Sequence, residues 1–418
     1  MKGEAEYTFR DAELRSIPLR AANRAGRGLE ALGLEVPSLD SDSIVRAAQR
    51  RAQESDCGGD SFREPLERYL RALREEAELN FFGRLAVRGM LVTSLRNRIE
   101  LAKWTRAHPE VRDERIEAPW VIVGLPRTGT SLLSILLGLD PNARALMHWE
   151  GARPIPPPTL ATAAEDPRIT ENAKELRALL KLNPALGAMH PFGATIAQEC
   201  VALFMYDVRT LGIETQAFVP SYGRWLQDCD MTPAYAQHQL ALQSLQAAQP
   251  TERWVLKTPN HLWCLETLLA TYPDARVVWT HRDPGKVITS LASLTNTLQR
   301  MFTHRRDPVP AAQEWRGKAR FAMESGMDFD ARAPDGWCQH LRFEDLMKDP
   351  IGAVRAIFAH FDETPSPLHV RRMEVWIRER GRDSEGRHVY DPADFGWSYD
   401  ELADETRAYR ERFGVARE

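Results

Sequence analysis

The chain has 418 residues, enough for one large α/β domain or two ordinary ones, and its 43% hydrophobic and 27% charged residues are those of a soluble globular protein. Its formal net charge of −4 gives no basis for nucleic acid as the main partner. No apolar run approaches the roughly 18 residues that span a bilayer, and the opening MKGEAEYTFRDAELRS lacks the apolar core of a signal peptide, so the expected location is cytoplasmic.

Residues 1–115 read as a mostly helical region. From EPLERYL to WTRAHPE, apolar residues recur three and four apart with charges between, after a loop marked by Gly58 and Gly59. Four short apolar runs, 120–125, 253–257, 275–280 and 338–343, predict buried strands. Helical patterns follow the first three, at 129–139, about 260–271 and 285–300. This alternation predicts an α/β fold over 116–418, a phosphate-loop-like parallel sheet flanked by helices. A helical insertion at about 150–250, opening with the proline-rich PIPPPTLATAAEDP, is expected to cap the site. In such sheets ligands bind beyond the carboxyl ends of the strands. The five cysteines (Cys57, Cys200, Cys229, Cys264, Cys338) lack CxxC spacing and read as reduced thiols, neither a disulfide framework nor a zinc site.

The first strand runs into Gly-Leu-Pro-Arg-Thr-Gly-Thr-Ser, residues 124–131. Both glycines and the serine fit a phosphate loop, but Thr130 stands where a nucleotide-hydrolysing loop has lysine. That absence argues against ATP hydrolysis. Backbone N–H groups at the following helix start can still cradle an anion, with Arg127 supplying charge and Thr130 and Ser131 supplying hydroxyls. Such a loop suits a phosphate or sulfate that needs no metal. A second anion site is expected at HRDPGKVITS, where Arg282 ends a strand and Ser290 lies eight residues on.

Together, PRTGTS after one strand and HRDPGKVITS after a later one resemble the sulfotransferase family, which uses 3′-phosphoadenosine 5′-phosphosulfate (PAPS) as donor. The resemblance covers roughly residues 117–415 and includes LRFEDLMKDPIGAVRAIFAHFD and the C-terminal GRDSEGRHVYDPADFGWS. It implies that Arg127, Thr128, Gly129, Thr130 and Ser131 hold the 5′-phosphosulfate. It implies that Arg282 and Ser290 hold the 3′-phosphate, with Arg387 closing over it. Arg127 replaces the lysine common in cytosolic members and follows the protein-tyrosine and many bacterial ones.

Sulfuryl transfer to a hydroxyl requires a base, a stabilised leaving phosphate and in-line geometry. In WVLKTPNHLW the resemblance implies Lys257 for the bridging oxygen and His261 for the base, although the histidine comes four residues after the lysine rather than two. A histidine in a first helical turn feels the positive helix end, which keeps it neutral. Glu150, with Arg153 soon after it, nearly matches a Glu and Arg of the protein-tyrosine branch, at a two-residue shift, and that resemblance makes Glu150 the rival base. Glu199, an acid among apolar residues in GATIAQECVALF, is a third candidate. The expected acceptor is a small hydrophobic hydroxyl compound, lipid-like or phenolic. ECVALFMYDV fits an apolar pocket or a helix core. A kinase on the same framework and a non-catalytic nucleotide-binding protein are the competing functions.

Overall fold

The structure is a computed structural model and describes residues 6–11, 17–34, 36–189, 192–380 and 387–418. Its strands among these are β1 (Glu6–Tyr7), β2 (Trp120–Gly124), β3 (Ala143–Ala145), β4 (Arg253–Lys257), β5 (Arg276–His281), β6 (Cys338–Arg342) and β7 (Arg387–His388). Five of them form one parallel sheet in the order β3-β4-β2-β5-β6, and β1 pairs in parallel with β7. The central strand β2 is buried along its whole length, as an uninterrupted Trp-Val-Ile-Val run requires in a sheet covered on both faces. Its period of two divides the core: Val121 and Val123 join one apolar layer, Trp120 and Ile122 the other.

The edge strand β3 was not expected. Its Ala-Arg-Ala carries no apolar run, and Arg144 holds the edge by donating to the carbonyls of Leu245 (3.0 Å) and Gln249 (3.1 Å) while lying over the Trp254 ring. The helix expected at 260–271 divides into a 3-10 turn, Pro259–Trp263, and a short α-helix, Leu265–Thr271.

The N-terminal helices Ser41–Ala52, Arg63–Glu75 and Phe81–Ala107 share a core with the sheet. Phe62 and Leu91 belong to the same apolar cluster as Val121 and Trp279. Buried Arg98 of the long helix pairs with buried Asp207 at 2.7 Å and so ties this region to the insertion. The insertion is itself partly core. Its helix Thr232–Ala248 buries Ala241, Leu242 and Leu245 in that cluster. No helix among the described residues is long and apolar enough to cross a membrane.

Candidate active site

The loop after β2 is shaped by backbone conformations that its sequence permits. Gly124 has φ 141°, and a Cβ there would stand 2.6 Å from Thr280 Oγ1. Gly129 has φ 87°, and a Cβ would meet Leu346 at 2.9 Å. The helix Thr130–Gly138 starts directly behind it, with no side-chain cap and no acid in its first turn. Its first N–H groups lack intrahelical acceptors and carry the positive helix end.

Arg127 holds a left-handed backbone, φ 70°, which costs a non-glycine residue about 1–3 kcal/mol. Its guanidinium turns toward the loop after β5. Nε donates to Ser290 Oγ at 3.2 Å and Nη1 donates to the Met189 carbonyl. In return, Arg282 Nη1 donates to the Arg127 carbonyl at 3.1 Å. The fold thus brings together the two sequence motifs expected to bind anions. Burial pushes the Arg127 guanidinium below its usual value, and Arg282 adds to this. No carboxylate pairs with Arg127 among the described residues.

Arg282 lies 4.1 Å above the Phe343 ring and grips the Glu418 carboxylate through Nε (2.8 Å) and Nη2 (2.7 Å). Burial works against this guanidinium's charge, but Glu418 outweighs burial and holds it above its usual value. A two-pronged grip on a carboxylate is also the geometry that receives a phosphate. The Thr128 hydroxyl is used internally, donating to the Leu125 carbonyl and lying 2.7 Å from Thr280 Oγ1. Thr130 is buried and Ser131 half-buried at the helix start.

Lys257, at the end of β4, lies beside this loop. Its Nζ is 3.4 Å from Ser131 Oγ and 2.6 Å from Glu199 Oε1. The Cys200 N–H donates to the Lys257 carbonyl at 2.8 Å, so the Glu199 segment is bound to the strand end through its backbone. A cavity of about 270 Å³ opens between the long N-terminal helix and this segment, lined by Met90, Thr93, Asn97, His148, Gln198 and Met205.

Two of the expected bases are differently placed. His261 is 0% exposed, in the 3-10 turn, with Nδ1 2.7 Å from the Tyr235 hydroxyl. The turn folds inward, so the ring meets core side chains and presents no nitrogen to an acceptor. Burial, then His238, holds its pKa well below the usual value. Glu150 is buried too. One oxygen pairs with Arg144 and the other accepts the Met147 N–H at 3.0 Å, capping the helix His148–Ala152. Arg153 pairs with Glu171 and Glu175. The Arg387 backbone lies in β7, but its side chain is outside the described residues.

Sequence reasoning missed Tyr390, which is close enough to influence both Arg127 and Arg282, and His388, whose Nε2 lies 2.8 Å from Ser293 Oγ. Ser293 lies three residues beyond Ser290 on the helix Pro284–Phe302, which is the signal that would have suggested a partner there. Glu418 gave no signal.

A sequence profile of the sulfotransferase family matches residues 119–366. No curated protein matched the chain. The structure is similar to the crystal structure of sulfotransferase STF9 from Mycobacterium avium, with 28% identity, 91% of this chain and 98% of that one covered, and a TM-score of 0.83. It is also similar to that of sulfotransferase STF1 from Mycobacterium tuberculosis H37Rv, with 28% identity, coverage of 88% and 98%, and a TM-score of 0.80.

Proposed function

Because the chain belongs to the sulfotransferase family, a family of sulfuryl-transferring enzymes, we propose that it moves the sulfuryl group of PAPS to the hydroxyl of a small acceptor with a largely apolar body. The 5′-phosphosulfate lies against the open N–H groups at Gly129, Thr130 and Ser131, near Arg127. The 3′-phosphate takes Arg282 and Ser290, displacing the Glu418 carboxylate. The buried charge of Arg127, without a carboxylate partner among the described residues, fits a donor with two anionic ends.

The observation that carries this reading is Lys257, whose ammonium touches both the loop and a carboxylate. When donor binds, Lys257 follows the bridging oxygen and leaves Glu199 to accept the acceptor's proton. The acceptor oxygen forms its bond to sulfur while the bond from sulfur to the phosphate oxygen breaks. Glu199 takes the proton, and the products are a sulfate ester and adenosine 3′,5′-bisphosphate. Lys257 and the helix N–H groups stabilise the charge that grows on the leaving phosphate. Glu199 thus replaces His261 and Glu150 as the base. The cavity beside Gln198 receives the acceptor, with Met90 and Met205 against its apolar part.

The test is transfer of labelled sulfuryl from PAPS to a panel of phenols, sterols and fatty alcohols. With one accepted substrate, Glu199→Gln lowers turnover by about 10²–10⁴-fold, the usual share of a general base, with little change in donor affinity. Near-normal turnover in Glu199→Gln refutes the assignment. A chain that transfers phosphoryl from ATP instead refutes the donor.

A further inference from the structure

Three residues distant in sequence meet behind the strand end that carries Lys257. Cys200 precedes the helix Val201–Phe204, His238 lies midway along Thr232–Ala248, and His261 sits in the 3-10 turn. The Cys200 Sγ and one nitrogen of each imidazole lie within 4.8 Å of one another. Exposure is 1% for Cys200 and 0% for both histidines.

The hydrogen bonding around the cluster is asymmetric. His238 Nδ1 is 2.8 Å from the Tyr272 hydroxyl and His261 Nδ1 is 2.7 Å from the Tyr235 hydroxyl. Neither Nε2 has a hydrogen-bond partner among the described residues. Phe204 packs against both rings, at centroid distances of 5.3 Å and 5.7 Å. A buried polar atom without a partner costs about 1–3 kcal/mol, and here the two rings that carry such atoms stand beside a thiol. When Nδ1 carries the ring proton and donates to the phenol oxygen, Nε2 presents its lone pair. Metal-binding histidines are oriented in this way by their second nitrogen.

We propose that Cys200, His238 and His261 form a closed structural site for a copper(I) ion. One thiolate and two neutral imidazoles are soft donors, and with copper(I) the complex is electrically neutral. Neutrality matters where solvent is excluded, because zinc(II) in the same set would leave one uncompensated positive charge. A structural zinc site also takes four protein ligands, and no fourth histidine, cysteine or carboxylate joins this cluster among the described residues. Metal–ligand bonds of about 2.0–2.3 Å place three donors about 3.5–4 Å apart, so small side-chain rotations close the site. Binding releases the thiol proton to buffer. The ion would join the Glu199 segment, the insertion helix and the turn after β4, stiffening the wall behind Lys257 without touching either substrate.

The experiment is anaerobic titration of the full-length protein with copper(I) against a chromophoric copper(I) chelator, with thermal melting and X-ray absorption on the loaded sample. The expected result is one tightly held ion per chain, a raised melting temperature, and a first shell of one sulfur and two nitrogens. His238→Gln and Cys200→Ser weaken binding by more than tenfold. Tyr272→Phe, which removes only the hydrogen bond behind His238, weakens it by about 10–100-fold, and Cys229→Ser leaves it unchanged. Absence of stoichiometric copper(I), a first shell of sulfurs alone, or equal affinity in Tyr272→Phe overturns the proposal. One zinc(II) per chain in preference to copper(I) overturns the choice of ion. The absorption measurement uses wild type, so it decides even where Cys200→Ser does not fold.

Discussion

The pair Arg282–Glu418 gives a quantitative handle on the donor site. The two side chains are 18% and 26% exposed, so their ion pair is partly solvated and is worth about 0.2–1 kcal/mol despite its two-pronged geometry. A 3′-phosphate that needs Arg282 must first displace that carboxylate. Glu418→Gln therefore raises affinity for adenosine 3′,5′-bisphosphate, by at most about fivefold. Arg282→Ala removes a charge-assisted bond worth about 1.5–3 kcal/mol and lowers affinity by about 10- to 150-fold. The two effects are coupled. In an Arg282→Ala background the Glu418→Gln gain disappears, because nothing remains for the carboxylate to block. AMP, which lacks the 3′-phosphate, binds all four proteins alike. Calorimetry on wild type, both single variants and the double variant supplies the cycle. If Arg282→Ala weakens AMP as much as the bisphosphate, Arg282 acts elsewhere and the two-site reading of the donor is wrong.

Glu150→Gln leaves half-buried Arg144 without its counter-charge and is expected to cost about 1.5–3 kcal/mol in urea denaturation, while turnover per folded molecule stays near wild type; a stable but inactive variant would return the base role to Glu150. Gly129→Ala forces a side chain into a left-handed conformation against Leu346, so it should destabilise by about 1–3 kcal/mol and weaken bisphosphate binding, as melting and calorimetry together would show. Acid should destabilise the protein through its buried neutral histidines. Burial, with Arg127 nearby, pushes His388 down to about 4, and burial with His340 lowers His281 well below its usual value. The unfolded chain protonates these rings first, at about pH 6.5, so stability is full above that value and is lost toward pH 4, by up to about 1.4 kcal/mol per pH unit for each ring. Urea midpoints that do not move between pH 7.5 and 5 would contradict this.

The sheet was legible where burial is uniform. β2 and β5 are apolar on both faces, and a strand covered on both sides leaves an unbroken run that needs no partner information to read. β3 was illegible for the opposite reason: Ala-Arg-Ala is a strand because β4 offers an edge and Trp254 a surface for Arg144, and both are tertiary facts. The two motifs expected to bind anions were visible because such chemistry depends on a few adjacent residues, a glycine at the helix start and an arginine at a strand end. His388 and Tyr390 lie beside Arg387 in a segment that the resemblance brought to this region, but nothing in their own residue types marked them, and nothing marked Glu418.

A turn carries His261 away from the place its spacing suggested. Lys257 and His261 are four residues apart, and on a continuing α-helix a histidine there would start the helix beside the ligand. Pro259 instead opens a 3-10 turn, Pro259–Trp263, with about three residues per turn rather than 3.6. The turn carries His261 inward beneath β4, against Tyr235 and Phe204, while Lys257 still points out of the strand toward Ser131. The backbone bond from Cys200 N–H to the Lys257 carbonyl then brings Glu199 to the lysine from a separate segment. Spacing within one motif therefore fixes the lysine, whose direction the strand dictates, and leaves the histidine to the geometry of a turn. The carboxylate at the lysine comes from 58 residues away in sequence, and it was visible beforehand only as an acid in an otherwise apolar stretch.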